Sequence, residues 1–376
     1  MELESSNLII NMNKPKNGKK EDFFSYQKDV KLLTNFLRII LGFLNVLIIS
    51  SSSLIFFSKR IDQIIPLKLN YSKTTQKDLI YYQDIQHNFC NNVRYLANKE
   101  LEEKIILYNV NLNDTNFDMF IYDNFDYYSW KIKLNQSYEG EATLHMLNAI
   151  KYFEDKYDFE NDDIAIIDIG SNVGWFSTYF GTFKYNVLSF EPLPENYYIL
   201  KKNFCRSNMD FFGTSSTITI INEALYPIET FCDYYKDIKN SKKNLILCDK
   251  SKEKNLDKDY IKVDRIKTTK LSNFLPQIMN KRIALLRLDL EYEGEMAIES
   301  GKELITKFHV PYIFIEFNML MFALHETRPQ DFLRFFINNG YKISLNGFLT
   351  DQFITVEDLM RIEFITINLY LVCVGK

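Results

Sequence analysis

The chain has 376 residues, enough for one large domain or two with an ample core. Its 45 basic and 49 acidic residues nearly balance and give a formal net charge of -4. Because a nucleic-acid-binding protein usually carries a basic surplus, this balance argues against a nucleic-acid partner. The four histidines and five cysteines are dispersed without metal-ligand spacing, so we predict no metal site.

The N-terminal part of the chain contains one long uncharged segment. Residues 1–33 are polar and without periodicity, which predicts a disordered tail. Ile39 to Ser58 carry no charge, and a helix of this length covers about 30 Å, the thickness of a bilayer core. We therefore predict a single transmembrane helix within residues 34–58, followed by a stem and N-terminal extension over residues 59–114. A buried or interfacial helix and a cleavable signal peptide stay open as alternatives.

The orientation of this anchor is not set by charge, because basic residues balance on its two sides. A short tail, one anchor and a large C-terminal domain favour a domain in the lumen of the secretory pathway, in the Golgi or endoplasmic reticulum. N-glycosylation sequons at Asn70, Asn113 and Asn135 agree with this, although about three such triplets are expected by chance in a chain so rich in Asn. The cysteines decide nothing about the redox compartment.

Two elements are predicted ahead of the central motif. Residues 117–134 alternate in a way that predicts a β-hairpin with Asp123 and Asn124 in its turn. Residues 139–156 place apolar residues on one face and predict an amphipathic helix.

The central motif is IAIIDIGSNVGWFS, residues 164–177, which predicts a buried parallel strand, a glycine turn and a helix. A doubly wound sheet binds its cofactor at such a turn, where Gly170 and Gly174 let the backbone approach a ligand. Asp168 adds a carboxylate, which suits a cationic cofactor better than a pyrophosphate. S-adenosylmethionine has an ammonium, a sulfonium and no phosphate, and is the predicted cofactor. An ordinary α/β turn is the alternative.

The strands after the motif supply further walls of the same crevice. A nicotinamide fingerprint needs a glycine where Asn172 stands, which disfavours an NAD-dependent enzyme. The next strand, residues 186–190, ends in Glu191, an acid placed either to accept hydrogen bonds from ribose hydroxyls or merely to end a strand. A third strand, residues 216–221, leads to Asn-Glu-Ala at residues 222–224.

Residues 225–282 interrupt the alternation of strands and helices with runs of Lys and Asp. This predicts an insertion that contains a small hairpin. A solvated charged loop is favoured there over a substrate lid. Two apolar strands follow, and the acids at their ends are Asp289, Glu291, Glu293 and Glu295 after the first and Glu316 after the second. A helix at residues 331–340 and two final strands close the chain, the last of them predicted to be antiparallel.

Three segments in combination resemble the marker segments of the FkbM-type S-adenosylmethionine-dependent methyltransferases: IIDIGSNVGWFS, SFEPLPENY and LLRLDLEYEGEMAIESG. The resemblance covers residues 115–376. It implies the class I methyltransferase fold, an α/β domain with a doubly wound, seven-stranded, mostly parallel sheet and an antiparallel last strand, here preceded by the single transmembrane helix.

The resemblance also implies roles for individual residues. Those for the cofactor are Asp168, Gly170, Ser171, Asn172 and Gly174 at its methionine end, Glu191 and Pro192 at the ribose, and Asn222, Glu223 and Ala224 at the adenine edge. Those on the acceptor side are Asp289, Glu291, Glu293 and Glu316, as a base or as groups that orient hydroxyls. The family typically has Asp-x-Glu-Gly where this chain has Asp-Leu-Glu-Tyr-Glu-Gly, and Arg287 replaces the usual Lys. His325, in an unpatterned loop, is a less favoured base.

The function implied is a membrane-anchored O-methyltransferase acting on a hydroxyl of a glycan or lipid-linked sugar. The substrate class comes from the resemblance and from no particular residue. A catalytically silent relative that binds S-adenosylmethionine is the main alternative, and a Rossmann-type NAD-dependent oxidoreductase is a weaker one.

Overall fold

The computed structural model describes Cys90 and residues 99–123, 126–209, 218–238, 244–256, 258–278, 280–289 and 294–375. The predicted tail, transmembrane helix and most of the stem lie outside these residues. Among the described residues, no helix has both the length and the apolar character needed to span a bilayer.

The secondary structure alternates strands and helices along most of the chain. The strands are β1 (Ile105–Leu112), β2 (Thr115–Tyr122), β3 (Ile164–Ile169), β4 (Asn186–Phe190), β5 (Ile218–Ile221), β6 (Ala224–Leu225), β7 (Phe231–Asp237), β8 (Leu245–Leu247), β9 (Tyr260–Thr269), β10 (Arg282–Asp289), β11 (Tyr312–Asn318), β12 (Tyr341–Ser344) and β13 (Thr366–Cys373). The helices are α1 (Lys99–Glu102), α2 (Tyr127–Asn135), α3 (Gly140–Tyr157), α4 (Trp175–Thr182), α5 (Pro194–Met209), α6 (Leu275–Ile278), α7 (Gly294–Glu299), α8 (Glu303–Thr306), α9 (Met319–Leu324), α10 (Pro329–Asn338) and α11 (Val356–Leu359).

A seven-stranded sheet with the order β12-β13-β11-β10-β3-β4-β5 forms the centre of the domain. Strands β3, β4, β5, β10 and β11 pair in parallel, whereas β13 is antiparallel to both of its neighbours. This is the class I methyltransferase strand order, so the predicted doubly wound sheet with an antiparallel last strand is confirmed. The order reverses between β3 and β10, where such a sheet leaves a crevice for ligands at the carboxyl ends of its strands.

The apolar strands are buried because helices cover both faces of the sheet. Every residue of β3 is buried, and alternate side chains enter opposite cores. Ile164 and Ile166 pack into one core with α3 and α4, and Ala165 and Ile167 into the other with α7, α8 and α10. Each fully buried Ile contributes roughly 1.5–3 kcal/mol of transfer free energy. This double burial explains why the strand sequence is continuously apolar and does not alternate.

The predicted hairpin over residues 117–134 is wrong. Strands β1 and β2 pair through a turn at Asn113 and Asp114, whose φ angles of 49° and 64° suit the two-residue hairpin turns that Asn and Asp favour. Residues 127–135 are instead helix α2, which begins where the Asp126 side chain accepts a hydrogen bond from Ser129 N at 2.8 Å. The domain boundary predicted at residue 115 divides this hairpin.

Residues 225–282 are more ordered than the predicted charged loop with a small hairpin. Strands β6, β7, β8 and β9 form a separate four-stranded sheet, called the inserted sheet below, with the order β6-β9-β7-β8. Most residues of β9 are exposed, and its Lys262 lies 2.6 Å from Asp233 on β7. The charged residues of β9 therefore lie on the solvent face of a sheet, whereas the Lys-rich run before it forms a 3-10 helix, Lys250–Asn255.

Four of the five cysteines form disulfides, which the sequence did not indicate. Cys90 pairs with Cys205 on α5, and Cys232 on β7 pairs with Cys248 directly after β8. Cys373 on β13 is free and half-buried. The second disulfide closes one edge of the inserted sheet.

Candidate active site

The glycine turn after β3 is held against the ends of two neighbouring strands. Gly170 has a φ of +77°, and a Cβ added there would lie 2.8 Å from the Cβ of Asp289. The Gly170 and Ser171 N–H groups both donate to the Phe190 carbonyl at 3.0 Å. Gly174 adopts a φ of +92° and leaves room for Leu200 in the same way. Glycine is therefore required by close contact as well as by backbone conformation.

A buried guanidinium links this turn to β10. Arg287 is 2 % exposed, and its Nη1 lies 3.0 Å from Asp168 Oδ1 and 2.7 Å from the Gly170 carbonyl oxygen. Its Nη2 lies 3.1 Å from Asp289 Oδ2, and the guanidinium stands 4.3 Å from the centre of the Phe176 ring. Burial lowers the pKa of Arg287, but the two carboxylates outweigh burial and hold that pKa above its ordinary value.

Both carboxylate oxygens of Asp168 are hydrogen-bonded to other residues of the protein. Its Oδ2 accepts a hydrogen bond from Ser177 Oγ at 2.5 Å, and Ser177 in turn contacts Ser189 Oγ at 2.6 Å. The side chain is completely buried. The geometry therefore gives Asp168 the task of fixing Arg287 and α4, and direct contact with a cofactor cation is not part of this arrangement.

Glu191 connects the glycine turn to the end of β4. Its carboxylate accepts hydrogen bonds from Asn172 N at 2.8 Å and from Leu193 N at 2.9 Å. Burial raises the pKa of Glu191 to about 7. The Asn222 amide donates to the Glu191 and Pro192 carbonyl oxygens at 2.9 and 3.0 Å, which ties the end of β5 to the same place. Predicted residues from three strands are thus brought together.

A crevice of about 480 Å³ lies at these strand ends. From the central sheet and its connections it is lined by Ile169, Gly170, Phe190, Pro192, Glu223, Asp289, Gly294 and Ala297. From the inserted sheet and its connections it is lined by Ala224, Leu225, Tyr226, Ile246 and Cys248. The other predicted cofactor residues do not line it: Asp168, Ser171, Asn172, Gly174, Glu191 and Asn222. We refer to this space as the first crevice.

Of the four acids predicted on the acceptor side, the structure describes two. Asp289 lines the first crevice, and Glu316 is its register partner on β11. Glu291 and Glu293 fall outside the described residues. Because the Asp289 carboxylate is paired with Arg287, it is better suited to orienting a group than to accepting a proton.

A second cavity of about 640 Å³ adjoins the first crevice, and Tyr226 and Gly294 line both. The other residues that line the second cavity are Asp249, Lys252, Glu295, Met296, Met321, Phe322, His325 and Thr327. Burial lowers the pKa of His325 to about 4. Sequence reasoning missed this cavity, because its lining comes from short segments without periodicity. The described residues contain no cluster of three or more His, Cys, Asp or Glu that could hold a metal ion.

Residues 168–343 match the family model described as Methyltransferase FkbM domain. This region is similar to the FkbM methyltransferase domain. The family resemblance predicted from the three marker segments is confirmed for these residues. The match includes the glycine turn, Glu191, Asp289, Glu316 and the whole inserted sheet.

Solved structures to which the chain is similar include methyltransferase FkbM from Methylobacillus flagellatus KT, at 15 % identity and a TM-score of 0.33, covering 64 % of this chain and 57 % of that one. The magnesium protoporphyrin IX methyltransferase from Synechocystis PCC 6803 with bound SAM is 8 % identical, with a TM-score of 0.32 and coverages of 66 % and 85 %. The bifunctional kinase-methyltransferase WbdD is 10 % identical, with a TM-score of 0.31 and coverages of 62 % and 39 %. No curated protein matches the sequence. The fold class rests on the strand order of the central sheet.

Proposed function

We propose that the chain is an S-adenosylmethionine-dependent O-methyltransferase and that its cofactor binds in the first crevice. The observation that carries this proposal is the crevice itself. It lies at a glycine turn that excludes any Cβ and that is hydrogen-bonded to a buried acid at the end of the neighbouring strand, within the residues that match the FkbM domain. The class I strand order puts both at the reversal point of the sheet.

The residues of the first crevice fit this cofactor. The backbone at Gly170 and Asn172 would contact the methionine end of the cofactor. Glu191 would accept hydrogen bonds from the ribose hydroxyls after its carboxylate rotates away from the N–H groups of Asn172 and Leu193. Glu223 and Ala224 would meet the adenine edge, where the apolar Phe190, Leu225 and Ile246 side chains suit a flat ring. When bound, the cofactor supplies an electrophilic methyl group.

The protein's contribution is to position the acceptor and to exclude water, which supply most of the acceleration of an in-line displacement. A hydroxyl acceptor must also lose its proton. We propose that Asp289, held in place by Arg287 at 3.1 Å, orients the reacting hydroxyl. Glu316, Glu291 and Glu293 remain the proposed bases.

Separate alanine variants of Asp289, Glu291, Glu293 and Glu316 test these roles. We expect a large loss of turnover in at least one variant, with affinity for S-adenosylhomocysteine largely kept. Methyl transfer from radiolabelled S-adenosylmethionine to glycan and lipid-linked sugar acceptors gives the turnover. A protein that binds the cofactor product but methylates none of these acceptors would be the silent relative.

We also propose that one helix within residues 34–58 anchors the chain and that the domain lies in the lumen of the secretory pathway. The described disulfides support an oxidising compartment, since cytosolic proteins rarely keep them. The sequons at Asn113, in the β1–β2 turn, and Asn135, at the end of α2, are both exposed.

Enzymatic deglycosylation of the full chain from a eukaryotic secretory host tests this orientation. We expect a loss of mass that is reduced in the Asn113→Gln and Asn135→Gln variants. An unmodified chain whose cysteines all react with a thiol reagent under native conditions would place the domain on the cytosolic side.

A further inference from the structure

The second cavity is formed where three short segments meet beside the first crevice. Asp249 and Lys252 come from the segment after β8, in the inserted sheet region. Glu295 and Met296 come from α7, and Met321, Phe322 and His325 from α9 and the residue after it. Lys252 Nζ donates to the His325 carbonyl oxygen at 2.7 Å, which joins the first of these segments to the third.

The second cavity lies next to the first crevice, because Tyr226 and Gly294 line both. Glu295 follows Gly294 directly in the sequence. Of the two carboxylates that line the second cavity, it is the one nearer in sequence to Gly294. A ligand in the second cavity would therefore present one end past Gly294 towards the first crevice. An acceptor for methyl transfer needs this arrangement, since its reacting atom must reach the cofactor while the rest stays outside.

The lining of the second cavity combines an apolar floor with hydrogen-bond acceptors. Met296, Met321 and Phe322 provide apolar surface, and Phe322 is 4 % exposed. The carboxylates of Asp249 and Glu295 accept hydrogen bonds, and burial raises the pKa of Glu295. The ammonium of Lys252 is directed to the His325 carbonyl group. His325 is uncharged at neutral pH, because burial lowers its pKa to about 4.

This balance of groups selects a class of ligand. The two carboxylates outnumber the single ammonium of Lys252, so the lining carries a net negative charge that repels an anionic group, and the carboxylates accept hydrogen bonds from hydroxyls. The apolar floor suits the C–H face of a saturated ring. We infer that the second cavity is the acceptor site and that it takes a neutral, hydroxyl-rich ring such as an unsubstituted sugar, with Glu295 orienting the hydroxyl nearest Gly294. This inference rests on the proposed function.

The Cys232–Cys248 disulfide fixes the wall of this acceptor site. Cys248 immediately precedes Asp249, and its sulfur is bonded to Cys232 on the buried face of β7. The inserted sheet is thus more than a covering for the first crevice. It also holds the segment with Asp249 and Lys252 against the second cavity, at a position fixed by a covalent bond.

Saturation-transfer NMR on the full chain in detergent with S-adenosylhomocysteine tests the inference. The neutral probes are methyl glucopyranoside, methyl mannopyranoside and methyl galactopyranoside, and the anionic probe is glucose 6-phosphate. We expect saturation transfer to at least one neutral probe and none to the phosphate. Met321→Trp, which fills the cavity, should reduce that transfer at least tenfold, whereas Leu320→Trp should keep it because Leu320 is 47 % exposed and does not line the cavity.

A second pair of variants covers a failure of Met321→Trp to fold. Glu295→Gln should weaken binding of the neutral probe, and Glu299→Gln, a change at a half-exposed position on the same helix, should not. Calorimetry with S-adenosylhomocysteine is run on every variant. If the wild type binds S-adenosylhomocysteine but no neutral probe, prefers the phosphate, or keeps its probe affinity in both cavity variants, the acceptor site is refuted and the proposed function stands. If the folded wild type binds no S-adenosylhomocysteine, the proposed function itself is refuted.

Discussion

The first crevice and the second cavity are built from different kinds of structure. The first lies at the ends of buried parallel strands and is held by backbone contacts and by Arg287, a charge that is 2 % exposed. The second is formed by side chains on short helices and on the inserted sheet, several of them half-exposed. The central sheet therefore fixes the first crevice, whereas the second cavity depends on segments that pack beside that sheet.

This difference indicates where sequence change is tolerated. A residue of the first crevice supports several others, so replacing it disturbs the sheet as well as the ligand. Apart from the buried Phe322 and Gly294, the residues of the second cavity are at least partly exposed, so replacing one of them changes the ligand preference and leaves the fold intact. A methyltransferase that keeps its cofactor and varies its acceptor would show this division.

The largest effect is expected for Arg287→Ala. The change leaves the Asp168 and Asp289 carboxylates buried without their counter-charge, which costs about 3–5 kcal/mol of unfolding free energy. Urea unfolding measures it. Arg361→Ala is the control, because that side chain is 77 % exposed and its ion pair with Asp358 is worth at most about 1 kcal/mol. Equal losses in the two variants would mean that the buried network does not hold the sheet.

Arg287→Lys sharpens the same test. An ammonium keeps the charge but lacks the planar fork that reaches Asp168, Gly170 and Asp289 together. We expect a stability between those of the wild type and Arg287→Ala. A Lys variant as stable as the wild type would show that charge alone is sufficient.

Cys232→Ser is expected to act through the inserted sheet, where Cys248 lines the first crevice and the next residue, Asp249, lines the second cavity. The disulfide joins residues 16 positions apart, and in the chain-entropy account a loop of this size contributes about 3 kcal/mol. Thermal unfolding should show a stability loss of about 2–4 kcal/mol, and methyl transfer should fall more than affinity for S-adenosylhomocysteine. Cys373→Ser is the control, since that cysteine is free. A larger loss of cofactor affinity than of turnover would contradict the division between the two sites.

Glu191→Gln should change the pH dependence of stability. Burial raises the Glu191 pKa from 4.5 to about 7, so the folded state binds this proton more tightly than the unfolded state does. The contribution is therefore complete below about pH 4.5, is lost as the pH rises through 7, and amounts to at most roughly 3 kcal/mol. Unfolding free energies measured from pH 4 to 8 should decline less in Glu191→Gln. Glu195→Gln, at a 58 % exposed side chain, should follow the wild type.

The sequence allowed the central sheet and five of the residues that line the first crevice to be predicted, namely Gly170, Pro192, Glu223, Ala224 and Asp289. The apolar strands around Asp168 and Asp289 and the glycines between β3 and α4 carry local signals, because buried strands and tight turns restrict residue type directly. The early hairpin was misplaced since Asn113-Asp114 and Asp123-Asn124 are equally good turn sequences. Which of them is used depends on the Asp126 cap that begins α2.

The links between distant segments could not be predicted. The contact of Arg287 with Asp168 spans 119 positions, and the pairing of Cys90 with Cys205 spans 115. An arginine within LLRLDL signals a buried charge, but its partners follow only from the register of β10 against β3. The second cavity depends in the same way on how the inserted sheet packs, which no periodic pattern encodes.

Titration of S-adenosylhomocysteine into the folded full chain, followed by calorimetry, tests the central claim most directly. Gly170→Ala adds a Cβ 2.8 Å from Asp289 at a φ of +77°, whereas Gly375→Ala adds one at a φ of +84° with no atom within 4 Å. We expect the wild type and Gly375→Ala to bind one equivalent, and Gly170→Ala to bind at least tenfold more weakly. No binding by the folded wild type, or equal binding by all three proteins, would contradict a cofactor site in the first crevice.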